Sequence, residues 1–158
     1  MRNATLRVYL QDHHAAARAG LALARRTLGT EHELARKIAE DRETLEQVMR
    51  HLDVPPSRLK DRLAALGDQI ARLKADRSFT TPAALGRLLA LEALVVGVRG
   101  KEALWRSLGV APEPRLTAFD FEALAASAAS QADELETERI HAARVALADA
   151  AAGREAVA

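Results

Sequence analysis

Apolar residues recur at three- and four-residue steps along most of this 158-residue chain. That spacing places them on one face of an α-helix. The first such stripe consists of Leu6, Leu10, Ala17, Leu21, Ala24 and Leu28. Alanine and leucine dominate and aromatic residues make up only 3%, so most positions favour helix over strand. The sequence therefore predicts an all-α fold, in one domain over residues 1–158.

Turn and capping residues divide the chain into five predicted helices. Gly29 ends the first, and Thr30–Glu33 has the pattern of a capping box that starts the second. Pro82 after Thr81 marks the start of the fourth, and Thr117–Asp120 is a capping-box-like start for the fifth. The predicted helices cover about residues 5–28, 31–52, 57–76, 82–108 and 117–152.

The connections between these helices indicate how they pack. The short connection at Gly29 makes the first two helices antiparallel neighbours, and the break at residues 109–114 joins a second pair. The long connection between the pairs contains the helix over 57–76. Two topologies fit this order: a ferritin-like four-helix bundle with an additional helix in its crossover, or a simple irregular bundle.

Composition excludes several classes of function. The formal net charge is +1, from 23 basic and 22 acidic residues, so we expect no nucleic-acid partner. The absence of cysteine excludes disulfides, zinc–thiolate sites, iron–sulfur clusters and a thiol nucleophile, and it fits a cytoplasmic protein. The N-terminus lacks the apolar region of a signal peptide, and the most apolar stretch, residues 88–98, is too short to span a bilayer. We therefore expect no membrane partner.

Three acidic residues fall within the apolar stripes of three different helices. Asp41 lies in the stripe of the second helix, Glu92 in that of the fourth and Glu138 in that of the fifth. His141 follows Glu138 at a spacing that keeps both near one helix face. The predicted apolar stripe of the fourth helix consists of Leu85, Leu88, Leu89, Val95 and Val96. A buried carboxylate needs a metal, a cation or a proton, so these residues form the candidate site.

These acids, with the crossover segment LDVPPSRLKD after the second helix, resemble the ferritin-like superfamily. The similarity is to bundles of the rubrerythrin and bacterioferritin kind and to the stress-associated bacterial family typified by YciF, and it covers nearly the whole chain. It implies a di-iron site with a Glu from each of two helices and Glu-x-x-His from each of the other two. Carried over, it implies the metal ligands Asp41, Glu92, Glu138 and His141. The set is incomplete, because Thr44 stands where a His is wanted and Ala17 where a Glu is wanted.

Arginine offers a different partner for the same acids. Because its planar guanidinium meets a carboxylate at two points, arginine is the usual cation of a buried ion pair. By position in the helices the candidates are Arg18, Arg42, Arg99 and Arg139. We favour these ion pairs over a metal, so we expect no cofactor and assign no catalytic residue. Iron or manganese is the alternative.

The helix over 82–108 also carries a face of small residues: Gly86, Ala90, Ala93 and Gly97. Small residues let another helix come close, and two glycines that each cost about 1 kcal/mol relative to Ala favour such a contact. The covering element is either the crossover helix of the same chain or the same helix of a second subunit. We expect a homodimer, which the resemblance implies and which is the commonest symmetric oligomer.

Three hypotheses for function follow. The first is a ferritin-like bundle with a structural or interaction role, whose degenerate metal site has its acids paired with arginine. The second is a divergent di-metal carboxylate redox protein that uses iron or manganese. The third is a binding module that holds a small ligand between its helices. The sequence leaves open whether the chain is an enzyme.

Overall fold

The computed structural model describes residues 4–57 and 83–155, with side chains described as far as residue 148. Four α-helices account for most of these residues: α1 (Ala4–Leu28), α2 (Glu33–His51), α3 (Ala83–Gly109) and α4 (Phe121–Glu155). A short 3₁₀ helix over Pro114–Ala118 precedes α4. Since the described ranges contain no strand, the all-α prediction is confirmed for them. The helix predicted over 57–76 and the start at Thr81 and Pro82 lie, except for residue 57, outside the described residues.

The first hairpin turns at the predicted glycine. Gly29 has a φ of +105°, a left-handed conformation that favours glycine, and its N–H donates to the Arg25 carbonyl at 3.1 Å. The predicted capping box over Thr30–Glu33 is wrong. His32 is the N-cap instead, and its Nδ1 accepts a hydrogen bond from the Leu34 N–H at 3.2 Å. The reason is the turn that His32 N–H makes to the Gly29 carbonyl, which delays the helix to Glu33.

The start of α4 also differs from the prediction. Thr117 lies in the 3₁₀ helix, where its hydroxyl donates to the Pro114 carbonyl at 2.8 Å and does not cap a helix. Asp120 takes the capping role, because its Oδ1 accepts a hydrogen bond from the Ala123 N–H at 2.9 Å. The helix therefore begins at Phe121, four residues later than the capping-box pattern indicates.

The apolar interior divides into two clusters, one toward each end of the bundle. The first core cluster consists of Leu21, Ala24, Leu34, Ala35, Ile38, Leu88, Leu91, Leu94, Val98, Ala132, Leu135, Ala142 and Ala146. The second core cluster consists of Leu10, Leu45, Val48, Met49, Leu52, Leu104, Trp105, Leu108, Leu116, Phe121, Ala125 and Ala128. All the described large aromatic core residues belong to the second cluster, where Trp105 stacks on Phe121 with ring centroids 6.1 Å apart.

The two clusters reveal the directions of the helices. Going along the chain, α1 and α4 run from the second cluster to the first, whereas α2 and α3 run from the first to the second. The pairs α1–α2, α3–α4 and α1–α3 are therefore antiparallel, and α3–α4 is the most extensive contact. Thus α2 ends at one end of the bundle and α3 begins at the other, which is the order of a bundle with one long crossover.

The orientation predicted for α3 is only partly right: Leu88 is buried as predicted, and Leu85 and Val95 pack against the first core cluster, but the inward face is turned away from Val96. Its buried face is Leu88, Leu91, Leu94 and Val98, whereas Val96, assigned to the core from sequence, is 72% exposed. Because α3 is apolar on most of its circumference, periodicity alone does not determine which face turns inward, and packing against α1 and α4 decides it. Although α3 is so apolar, no helix in the described ranges is long and apolar enough to cross a membrane.

Candidate functional site

Asp41 is the one predicted acid that is buried in the bundle. It lies on the apolar stripe of α2 between Ile38 and Leu45 and is only 7% exposed. Its Oδ2 pairs with the ammonium of Lys101 from α3 and accepts a hydrogen bond from Gln131 Nε2 of α4 at 2.8 Å. Three helices therefore converge on a single carboxylate.

The three side chains form a closed hydrogen-bonded network, which we call the Lys–Asp–Gln network (Asp41, Lys101 and Gln131). Lys101 Nζ donates to Gln131 Oε1 at 2.6 Å, while the Gln131 amide donates to Asp41. The same amide lies 3.3 Å from Ser127 Oγ. Since Gln131 is 2% exposed, its amide supplies both the acceptor that Lys101 needs and a donor for Asp41 in a place without bulk water.

Burial sets the electrostatics of this network. Loss of water around the Lys101 ammonium lowers the pKa of its side chain, and the adjoining Asp41 carboxylate acts in the opposite direction. The ammonium is the more accessible partner, with 15% of its side chain exposed against 8% for that of Asp41. Both side chains of the ion pair are therefore largely buried, and the ammonium is the one closer to solvent.

A cavity of about 80 Å³ lies next to the network, between α1, α2 and α3. Asp41 and Lys101 contribute its charged wall, Leu94 and Trp105 part of its apolar wall, and His13 part of its α1 side. Burial lowers the pKa of the His13 imidazole, while the nearby Asp12 carboxylate opposes this effect. The bundle thus combines a small apolar space with a fixed ion pair.

A second polar pair joins α1 to α2 nearer the aromatic end. His14 is 4% exposed, and its Nε2 lies 3.0 Å from Glu46 Oε1. This hydrogen bond, helped by the charge of Arg42, lowers the pKa of the Glu46 carboxyl against the opposing effect of burial. Gln11 ties the same region to the chain after α2 by donating to the Pro55 carbonyl at 2.8 Å. His14 is accordingly engaged in packing α1 against α2.

The structure does not bring the four predicted metal ligands together. The side chains of Glu92 and Glu138 are 46% and 41% exposed, and His141 is exposed. Their predicted inward positions are therefore wrong: Glu92 faces Arg139 and Glu138 faces Arg87 at the surface of the bundle. Within the described residues, no group of three or more His, Cys, Asp or Glu side chains is placed to hold a metal ion.

Among the arginines predicted as partners, Arg139 pairs with one of the predicted acids, Glu92, whereas Arg18, Arg42 and Arg99 pair with none of them in the described part of the chain. Arg139 lies 3.8 Å from Glu92, but its closest partner is Glu136 at 2.6 Å. Arg99 pairs with Glu102 and Asp133, at 2.9 and 2.6 Å, and not with Glu92. Arg18 is exposed. The partner of Glu138 is Arg87, at 3.3 Å, and the Arg87 guanidinium also donates to the Thr27 carbonyl at 2.8 Å.

Sequence reasoning missed Lys101, the residue that neutralises Asp41. A signal for it exists in hindsight. Lys101 continues the series Leu94, Val98 and Trp105 at helical spacing, so turning α3 to that series places the lysine inward. The prediction missed it because α3 is apolar on most of its circumference, so its periodicity does not select the inward face.

At Gly97, the small-residue face of α3 does not make a close contact with another described helix. Gly86 and Ala90 are half-buried, whereas Ala93 and Gly97 are exposed. A Cβ added at Gly97 would meet nothing within 4 Å among the described residues. Ala93 and Gly97 instead line the cavity.

Comparison of the chain with protein-family models, with curated proteins and with solved structures gives no match.

Proposed function

We propose that this protein is a helical bundle of ferritin-like ancestry with a structural or interaction role. The observation that carries the proposal is the Lys101–Asp41 ion pair in the middle of the bundle. A protein cation from α3 neutralises Asp41, the inward acid that the ferritin-like resemblance would make a metal ligand. The acid is neutralised by lysine, not by the arginines that the sequence indicates.

Charge balance within the Lys–Asp–Gln network supports this reading. Lys101 contributes one positive charge and Asp41 one negative charge, and Gln131 hydrogen-bonds to both without adding charge. An isolated buried carboxylate would be costly, and the network removes that cost without a metal. Such a network holds three helices in one register, which suits a structural role.

The donor set also argues against a di-metal centre. Such a centre needs six side chains from four helices. Here Asp41 is already bound by Lys101 and Gln131, Glu92 and Glu138 face arginines at the surface, and α1 presents Ala17 where a carboxylate is required. These residues do not fit a di-metal centre.

Metal analysis tests the proposal. The full chain would be incubated with Fe²⁺ or Mn²⁺, desalted and measured by elemental mass spectrometry beside Lys101→Met, which frees Asp41, and Glu92→Ala. We expect no stoichiometric metal in the natural chain and the same result for Glu92→Ala. About two metals per chain, as in a di-iron bundle, lost in Glu92→Ala, would refute the proposal and favour the redox alternative.

The expected homodimer is retained as part of the proposal, with α3 as its interface. Val96 is 72% exposed, and Ala93 and Gly97 on either side of it are exposed too, so α3 presents an apolar strip. Light scattering coupled to size-exclusion chromatography would distinguish a dimer from a monomer. We expect a dimer that Val96→Lys converts to a monomer, and a natural chain that elutes as a monomer at micromolar concentration would exclude this interface.

A further inference from the structure

The amine of Lys101 has surroundings that the proposed structural role does not require. Lys101 from α3 and Asp41 from α2 both line the cavity between α1, α2 and α3, and their charged ends are in contact. The ion pair therefore borders a space of about 80 Å³, whereas roughly 10–15 Å³ on such a measure holds one water molecule. We propose that Lys101 is a covalent capture site for small, uncharged, apolar aldehydes, which it binds reversibly as a Schiff base. The proposal goes beyond the structural role and does not depend on it.

Lys101 lies on the buried face of α3. It follows Leu94 and Val98 at helical spacing, and its side chain is 15% exposed. Val96, the centre of the proposed dimer interface, is two residues from Leu94 and therefore lies on the opposite side of the helix. The amine thus belongs to the interior of its own chain and not to the surface around Val96.

The partners of Lys101 can hold it as a free amine, the form that attacks a carbonyl carbon. Asp41 Oδ2 already pairs with the ammonium, so it is in place to accept a proton from it. Gln131 Oε1 accepts a hydrogen bond from Lys101 Nζ at 2.6 Å, which fixes the position of the nitrogen. Burial also lowers the pKa of the Lys101 side chain, although the Asp41 carboxylate opposes this effect.

Schiff-base formation conserves the charge of the Lys–Asp–Gln network. The Lys101 ammonium gives a proton to Asp41, and the nitrogen lone pair then forms a bond to the aldehyde carbon. As the carbon–oxygen π bond opens, a proton moves from the nitrogen to the oxygen, which becomes a hydroxyl group. Asp41 returns its proton to that hydroxyl, water leaves, and the nitrogen lone pair forms the C=N bond. The product is an iminium ion beside the Asp41 carboxylate, so the buried pair remains neutral overall.

The walls of the cavity select the kind of aldehyde. Leu94 and Leu104 are part of its apolar lining. Arg42 Nε lies 3.6 Å from Glu46 Oε1, and burial lowers the pKa of the His13 imidazole, so an anionic aldehyde would find no free cation here. A cavity of 150 Å³ holds benzene, so one of about 80 Å³ suits a chain of roughly three or four carbons.

Reductive trapping tests the proposal. The full chain would be incubated with butanal and cyanoborohydride, which reduces an iminium ion to a stable secondary amine, and each butylated lysine would be mapped by mass spectrometry. Lys37 is an internal control, because hydrogen bonds to Glu33 and Glu134 raise the pKa of its side chain. We expect Lys101 to be labelled at least roughly ten-fold faster than Lys37, below the contribution that a positioned proton acceptor usually makes. Glyoxylate, an anionic aldehyde, should label Lys37 in preference to Lys101.

Two arginine variants provide a matched control. Lys101→Arg keeps a positive charge for Asp41 but has no amine, so the label at this position should be lost. Lys37→Arg makes the same change at a more exposed position and should leave labelling of Lys101 unchanged. Because the lysines of the natural chain are mapped individually, the test does not depend on the folding of either variant. An unlabelled Lys101, labelling of Lys101 no faster than that of Lys37, or equal labelling of Lys101 by glyoxylate and butanal would each overturn the proposal.

Discussion

The Lys–Asp–Gln network and the surface ion pairs between α3 and α4 use the same chemistry in different surroundings. Asp41 and its partners are buried, whereas Arg87 and Glu138 are 45% and 41% exposed. An exposed pair keeps most of its hydration, so breaking it changes little. A buried pair has already lost water, so removing one partner leaves a charge that neither water nor protein stabilises. Burial, and not the number of ion pairs, decides which carboxylate matters to this fold.

The largest effect should come from breaking the buried pair. Lys101→Met leaves the Asp41 carboxylate with only the Gln131 amide, and we expect a loss of about 3 kcal/mol in the free energy of unfolding. This is the low end of the usual range, because the Lys101 side chain is 15% exposed. Urea denaturation measures it, with exposed-surface Arg106→Met on the same helix as control. A loss no larger than the control's would contradict the comparison.

Replacing the whole network by apolar residues should recover most of that loss. In Asp41→Leu/Lys101→Met/Gln131→Leu no buried charge is left unpaired, and such replacements are often neutral or stabilising. We expect the triple variant to unfold within about 1 kcal/mol of the natural chain. The same urea titration tests this. A triple variant less stable than Lys101→Met alone would mean that the network's geometry, and not its charge balance, supports the fold.

A smaller effect is expected at His13, which lines the cavity next to the Lys–Asp–Gln network. Burial lowers the pKa of this imidazole in the folded protein, so the unfolded chain binds its proton first as the pH falls below about 6.5. The contribution of neutral His13 to stability is therefore full above pH 6.5 and is lost as the pH falls toward its folded-state pKa. The free energy of unfolding, measured from pH 7 to pH 5, should fall less steeply in His13→Gln than in the natural chain. Parallel curves for the two proteins would show that His13 does not contribute to the pH dependence.

The smallest effect is expected at the surface. Arg87→Ala and Glu138→Ala, alone and together, form a double-mutant cycle for a pair whose nitrogen and oxygen are 3.3 Å apart. We expect a coupling energy of about 0.5 kcal/mol that decreases in high salt. Arg87 also donates to the Thr27 carbonyl, so its single variant should cost more than that of Glu138. A coupling as large as the loss in Lys101→Met would remove the distinction between the two regions.

Local features of this fold follow from short stretches of sequence. Gly29 ends α1 because its φ of +105° favours glycine, and the stripe of α2 buries Asp41 between Ile38 and Leu45. In both cases a few neighbouring residues are enough for the prediction. At Gly29 they set a backbone conformation, and in α2 they form one clear apolar face. The all-α class follows in the same way, from helical periodicity combined with few strand-forming residues.

The candidate site depended on the tertiary structure. The sequence placed Glu92 inward and overlooked Lys101, because α3 is apolar on most sides and its periodicity does not select a face. Only packing against α1 and α4 turns Leu91, Leu94 and Val98 inward, and that rotation carries Lys101 to Asp41 and moves Glu92 to the surface. The sequence by itself determined the helices and one buried acid. The partner of that acid was decided by a contact between residues 60 positions apart, because the local pattern of α3 allows more than one inward face.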